Sequence, residues 1–160
     1  MADFTPIRRI DLDVCCLNRP FDDQRQDRIR LEAEAVLLLL ARCEVGAWPW
    51  ASRAVVEEEV STTPSHERRS RVRNMLSGAY GTVALTDAAI TRALVLKAMG
   101  FRTYDALHLS CAEETAVDVF LTTDDRVLRT ATRHTTQLRV RVAHPLAWLW
   151  EVMDPCIHRR

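Results

Sequence analysis

The nine residues V-D-V-F-L-T-T-D-D at positions 117–125 constrain this chain more than any others. A short apolar run bounded by hydroxyls and acids reads as a fully buried strand, and its carboxyl end delivers Asp124 and Asp125 together. Helical patterns flank it on both sides: T-Y-D-A-L-H-L-S-C-A-E-E-T-A before it (103–116) and D-D-R-V-L-R-T-A-T-R-H after it (124–134). A buried strand set between helices is the signature of a parallel sheet covered on both faces.

The rest of the chain repeats the alternation. I-R-R-I-D-L-D-V-C (7–15) reads as a strand ending near Asp13. A single long helix is expected over 21–46, capped by Asp22 or Asp23 and stopped by Gly46. A-W-P-W-A-S (47–52) gives a short strand that Pro49 makes an edge or irregular one. R-A-V-V-E-E-E-V-S-T-T-P (53–64) is a short helix, and a basic helix capped by Ser65 follows it. A strand over 80–85 leads to a helix capped by Thr86 and closed by Gly100. L-R-V-R-V-A-H-P (138–145) is the last strand, and P-L-A-W-L-W-E-V-M (145–153) the closing helix. The fold class is α/β in a single domain, with a parallel central sheet flanked by helices on both faces. Residues 1–8 form an N-terminal arm, 9–152 the domain and 153–160 a tail.

At 160 residues the chain can bury one substantial core. The formal net charge is zero, so only a local basic patch could meet a nucleic acid. No apolar run approaches the roughly 18 residues of a membrane span, and no export signal precedes the domain. A cytoplasmic, reducing compartment is expected, with no membrane partner. The five cysteines form no C-x-x-C pair. Adjacent Cys15 and Cys16 point to opposite faces of the expected strand, and the cysteines read as small packing residues.

Ligands of open α/β sheets bind outside the carboxyl ends of the strands. Asp13 ends the first strand, Asp124 and Asp125 end the strongest one, and Asp105 opens the helix before it. Glu57, Glu58 and Glu59 lie on the helix after the second strand. Taken singly, Asp105 and Asp124 read as helix caps and the glutamates as a solvated face. Gathered at one edge, carboxylates repel unless a cation shares the site, and oxygen ligands favour a hard ion, Mg²⁺ or Mn²⁺. Such an ion serves phosphoryl chemistry by activating water and neutralising phosphate oxygens.

The segments I-D-L-D-V-C-C-L-N-R-P-F-D-D, V-V-E-E-E-V-S-T-T-P, Y-D-A-L-H-L-S-C-A-E-E-T-A-V-D-V-F-L-T-T-D-D-R-V-L and V-R-V-A-H-P-L-A-W-L together resemble a PIN domain. The likeness is to the ribonuclease toxins of type II toxin–antitoxin pairs (VapC-like), and it runs from about Ile10 to Trp150. The resemblance implies a metal-dependent endoribonuclease that hydrolyses RNA with a metal-bound water, leaving a 5′-phosphate and a 3′-hydroxyl. It implies Asp13, Asp105 and Asp124 as ligands of Mg²⁺ or Mn²⁺. Glu59, with Glu57 as the alternative, would orient or deprotonate the attacking water, directly or through a second metal. Thr122 and Asp125 are supporting candidates, and Arg19 is placed to meet a phosphate. Val14 departs from the commoner pattern, in which a threonine follows the first acid. The expected partners are an RNA substrate, a cognate antitoxin and a second copy of the chain.

Other residues carry weaker readings. Arg68, Arg69, Arg71 and Arg73 could track RNA or form a solvated or partner-facing helix surface. The place of His108 within its helix favours packing or a hydrogen bond to a neighbour, and Trp48, Trp50, Trp148 and Trp150 read as core or interface. Two alternatives remain open: a PIN-like module that binds without cutting, and a haloacid-dehalogenase-type phosphatase in which Asp11 would be the nucleophile.

Overall fold

The computed structural model describes residues 8–153. The expected arm and tail fall almost wholly outside them. The elements run β1 (Ile10–Leu12), α1 (Val14–Asn18), a 3-10 turn (Arg19–Phe21), α2 (Asp27–Glu44), β2 (Ser52–Arg53), α3 (Ala54–Ser61) and α4 (His66–Leu76). They continue with β3 (Thr82–Val83), α5 (Asp87–Ala98), α6 (Thr103–Glu114), β4 (Val119–Leu121), α7 (Asp125–Arg133), β5 (Arg141–Ala143) and α8 (Pro145–Met153). β1, β4 and β5 form a parallel sheet in the order β1-β4-β5, and β2 pairs β3, also in parallel. The Ile10 N–H donates to the Pro49 carbonyl at 3.3 Å, which ties the β1 edge to the segment entering β2. Among the described residues no helix is long and apolar enough to cross a membrane.

The two-residue period of the strands distributes side chains to two cores. Val119 and Leu121 join Ile10, Leu12, Leu17, Val36, Leu39 and Trp148 on one face. Phe120 joins Leu96, Leu109, Val127 and Val140 on the other. A sheet buried on both sides tolerates a near-continuous apolar strand, which is what V-F-L supplies. Trp48 packs edge-on against Trp148 with ring centroids 5.1 Å apart. Trp50 is also buried, whereas Trp150 is exposed.

Three local expectations change. The first strand stops at Leu12, because Asp13 caps α1 by accepting from the Val14 N–H. Cys15 and Cys16 therefore lie on a helix rather than a strand, Cys15 half-buried and Cys16 buried. The long helix begins at Asp27 rather than near Phe21, with Gln26 at its cap and no side-chain cap bond. Pro20 opens a 3-10 turn there. Asp22 accepts from Arg19 and Arg68, and Asp23 from Arg25, so neither caps the helix. The expected strand in A-W-P-W-A-S is confined to its end, at Ser52 and Arg53. Ser65 and Thr86 cap their helices as expected. Gly100 adopts φ +108°, a conformation that favours glycine, where α5 turns toward α6.

Candidate active site

Parallel register brings chemistry to one edge. Leu12 lies opposite Leu121, and Leu121 opposite Ala143, so the next residues of all three strands emerge together. The Asp13 N–H donates to the Leu121 carbonyl at 2.9 Å, and the Thr122 N–H to the Ala143 carbonyl at 3.1 Å. Asp13 is thereby held beside Thr122.

Asp13 is 6% exposed, and both its carboxylate oxygens are engaged. Oδ1 accepts from the Val14 N–H at 2.8 Å, and Oδ2 accepts from the Thr122 hydroxyl at 2.7 Å. The Thr122 oxygen in turn accepts from the Asp124 N–H at 3.1 Å. One hydroxyl thus fixes the first acid and orients the backbone that carries the last. Asp124 caps α7 through Oδ1, which accepts from the N–H groups of Arg126 and Val127.

Cys15, read from the sequence as packing, touches this site. Its thiol donates to Asp13 Oδ2 at 3.3 Å, lies 3.2 Å from the Thr122 hydroxyl, and accepts from the Thr123 N–H at 3.3 Å. The available signal was the spacing: a helix opened by an Asp13 cap turns the residue two places on back toward that cap.

Asp105 sits half-buried in the first turn of α6. Burial, reinforced by the charges of Asp13 and Asp124, pushes its carboxyl up to about 6, against the opposing pull of His108. Asp105 is therefore within electrostatic reach of both other aspartates. Among the described residues no three His, Cys, Asp or Glu side chains are gathered in metal-ligating geometry. The three aspartates nonetheless offer oxygen donors, which suit a hard ion, and their mutual repulsion is what a divalent cation would relieve.

The glutamates of α3 separate cleanly. Glu59 Oε2 accepts from His108 Nε2 at 2.6 Å, which joins α3 to α6 three residues past Asp105. Glu57 instead accepts from the hydroxyls of Thr82 at 2.8 Å and Ser52 at 3.4 Å. Glu58 is exposed.

Two further candidates have partners of their own. Arg19 Nε lies 2.8 Å from Glu32 Oε2, and its guanidinium also meets Asp22. Asp125 is held by both terminal nitrogens of Arg28, at 2.7 and 2.8 Å. In the basic helix, Arg68 binds Asp22, Arg69 the Thr63 carbonyl and Arg71 the Glu67 carboxylate. Arg73 lines an open groove of about 680 Å³ beside Glu57 and Glu58.

No protein-family model and no curated protein matches the chain. A solved structure, VapBC2 from Rickettsia felis bound to a DNA fragment from their promoter, contains a chain that superposes with a TM-score of 0.51 at 14% sequence identity. The match covers 84% of this chain and 97% of that one. At such identity the likeness is one of fold: an α/β domain with a parallel sheet between helices.

Proposed function

We propose that this protein is a metal-dependent endoribonuclease acting as the toxin of a toxin–antitoxin pair. The observation that carries the reading is geometric: Asp13 and Asp124 leave neighbouring parallel strands at one edge, tied through the Thr122 hydroxyl, and the charges of both bear on Asp105 in the first turn of α6. The fold likeness to a chain of the VapBC2 structure supports it and supports an antitoxin as partner.

In this reading Asp13, Asp105 and Asp124 hold Mg²⁺ or Mn²⁺. When bound, the cation supplies an activated water and neutralises the phosphate oxygens. The chain's own residues do the rest. Thr122 and the Val14 N–H hold the Asp13 carboxylate in one orientation, although position 14 brings no hydroxyl. Asp124 Oδ1 accepts from the N–H groups of Arg126 and Val127, which fixes the carboxylate at the strand end. Glu59 takes the proton of the attacking water, and its position beside α6 favours it over Glu57 for that task. Asp11 is buried against Arg53, an arrangement ill suited to the exposed nucleophile of a phosphatase.

The test is RNA cleavage by the full chain with Mn²⁺ or Mg²⁺, beside Asp105→Asn and an EDTA control. Wild type is expected to yield 5′-phosphate products, and Asp105→Asn to lose activity on the order of 100-fold or more. Equal cleavage by the two would exclude this site. A folded wild type that binds RNA without cutting it would favour the PIN-like binding module.

A further inference from the structure

We infer that His108 is a positioning residue: it fixes the Glu59 carboxylate at a set place relative to Asp105. This rests on the ribonuclease reading of the site and adds to it a residue that does not touch substrate.

His108 is 1% exposed on α6, and its Nε2 lies 2.6 Å from Glu59 Oε2. A carboxylate only accepts, so Nε2 carries the proton. The Nδ1 atom is buried with no hydrogen-bond partner among the described residues. An apolar side chain would fill the same space without leaving a ring nitrogen unpaired, so packing alone does not account for a histidine here. The bond to Glu59 does.

The geometry also says what the bond achieves. A glutamate on a partly exposed helix face samples several rotamers, and its neighbours show the range: Glu57 turns to Thr82 and Ser52, and Glu58 to solvent. Glu59 is drawn instead across to α6. There His108 and Asp105 are i, i+3 neighbours on one helix face, about 5–6 Å apart at Cβ. Holding Glu59 to His108 therefore holds it one turn from Asp105. The ring is itself steadied by Tyr104, stacked at 28° with centroids 6.4 Å apart. Burial opposes charging of the ring, but the Glu59 hydrogen bond and the charges of Asp13, Glu59 and Asp11 outweigh it and hold the ring above the ordinary histidine range.

The test uses the full chain with His108→Leu, His108→Gln, Glu59→Gln and the double variant His108→Leu/Glu59→Gln. Gln can place a nitrogen near the position of Nε2. His108→Leu is expected to lower kcat about 10–100-fold with KM and Mn²⁺ affinity within about two-fold, and His108→Gln to recover most of that loss. In the Glu59→Gln background His108→Leu should cost nothing further. Additive losses, or an unchanged kcat, would overturn the inference.

A second readout needs no activity. Nitrogen-15 NMR of the metal-free protein should show a ring Nε2–H protected from exchange, which shifts in Glu59→Gln. No such signal would overturn the inference even if His108→Leu fails to fold. An intact, Glu59-dependent signal in a wild type that cuts no RNA supports the contact and fails the ribonuclease reading instead.

Discussion

Asp105 carries the electrostatic cost of the site. Burial first, and then the charges of Asp13 and Asp124, raise it to about 6 from an ordinary 3.8. Between those values the folded chain holds a proton that the unfolded chain has released. Stability of the metal-free protein therefore falls as pH rises through this window and stays lowered above it. At 1.36 kcal/mol per pKa unit the penalty has a ceiling near 3 kcal/mol, which solvent screening of a half-buried group reduces to about 1–2. Asp105→Asn should then be about 1–2 kcal/mol more stable than wild type at pH 7.5 in EDTA, and the gain should vanish near pH 4. Urea unfolding at the two pH values checks this, and a less stable variant at pH 7.5 would refute it. At this scale the sequence made the acids legible, because each stands at a strand or helix end. It did not reveal the thiol of Cys15 against Asp13, since that depended on a helix beginning at Val14 where a strand was expected.

At the scale of elements, β1 shows how one alternation serves two purposes. Ile10 and Leu12 enter one core, while Asp11 faces the other way, in register with Phe120. It meets Arg53 at the end of β2, 2.6 Å away, with both side chains 3% exposed. Burial raises the Asp11 carboxyl, and the Arg53 guanidinium opposes that rise. Arg53 also donates to the Thr115 hydroxyl at 3.2 Å, so the pair ties β1, β2 and the end of α6 together. Removing one partner strands a charge in the interior. Arg53→Met should destabilise by about 3–5 kcal/mol, whereas Asp11→Leu/Arg53→Met should recover much of the loss. Chemical denaturation of the single and double variants measures the difference, and additive losses would argue against a coupled pair. Periodicity found all the major helices, yet it placed the start of α2 about six residues early. The cap candidates Asp22 and Asp23 are spent on arginines, and one of these, Arg68, is 46 residues away. Local pattern contains no trace of such a partner.

Across the whole molecule the same limit applies to Arg19 and Asp125, which the sequence offers as site candidates with no trace of the partners they meet. Both belong to a charge network centred on Glu32, which is 1% exposed on α2. Arg19 Nε and Arg28 Nε each lie 2.8 Å from its carboxylate, and His144 Nε2 donates at 2.8 Å. The Leu146 N–H donates to His144 Nδ1, so the ring proton that meets Glu32 is on Nε2 and both contacts are satisfied at once. Arg28 extends the network to Asp125 at the start of α7, and Arg19 and Arg68 share Asp22. One buried carboxylate thus joins the turn after α1, α2, α7 and the entry to α8, from positions up to 112 residues apart. Burial acts to raise Glu32, but the hydrogen bonds of His144 and Arg28 and the charge of Arg19 outweigh it and hold the carboxyl below its ordinary 4.5. A depressed carboxyl contributes stability above the unfolded value and loses it as pH falls through the folded one. Glu32→Gln keeps the shape and removes the charge, leaving two arginines beside a neutral amide. It should cost about 1–3 kcal/mol at pH 7. Because wild type loses the same charge on acidification, the gap between the two proteins should narrow as pH falls below the ordinary 4.5. Thermal unfolding of both across the acid limb resolves the cause, since a gap indifferent to pH would assign the loss to amide packing rather than to the charge that binds these four elements.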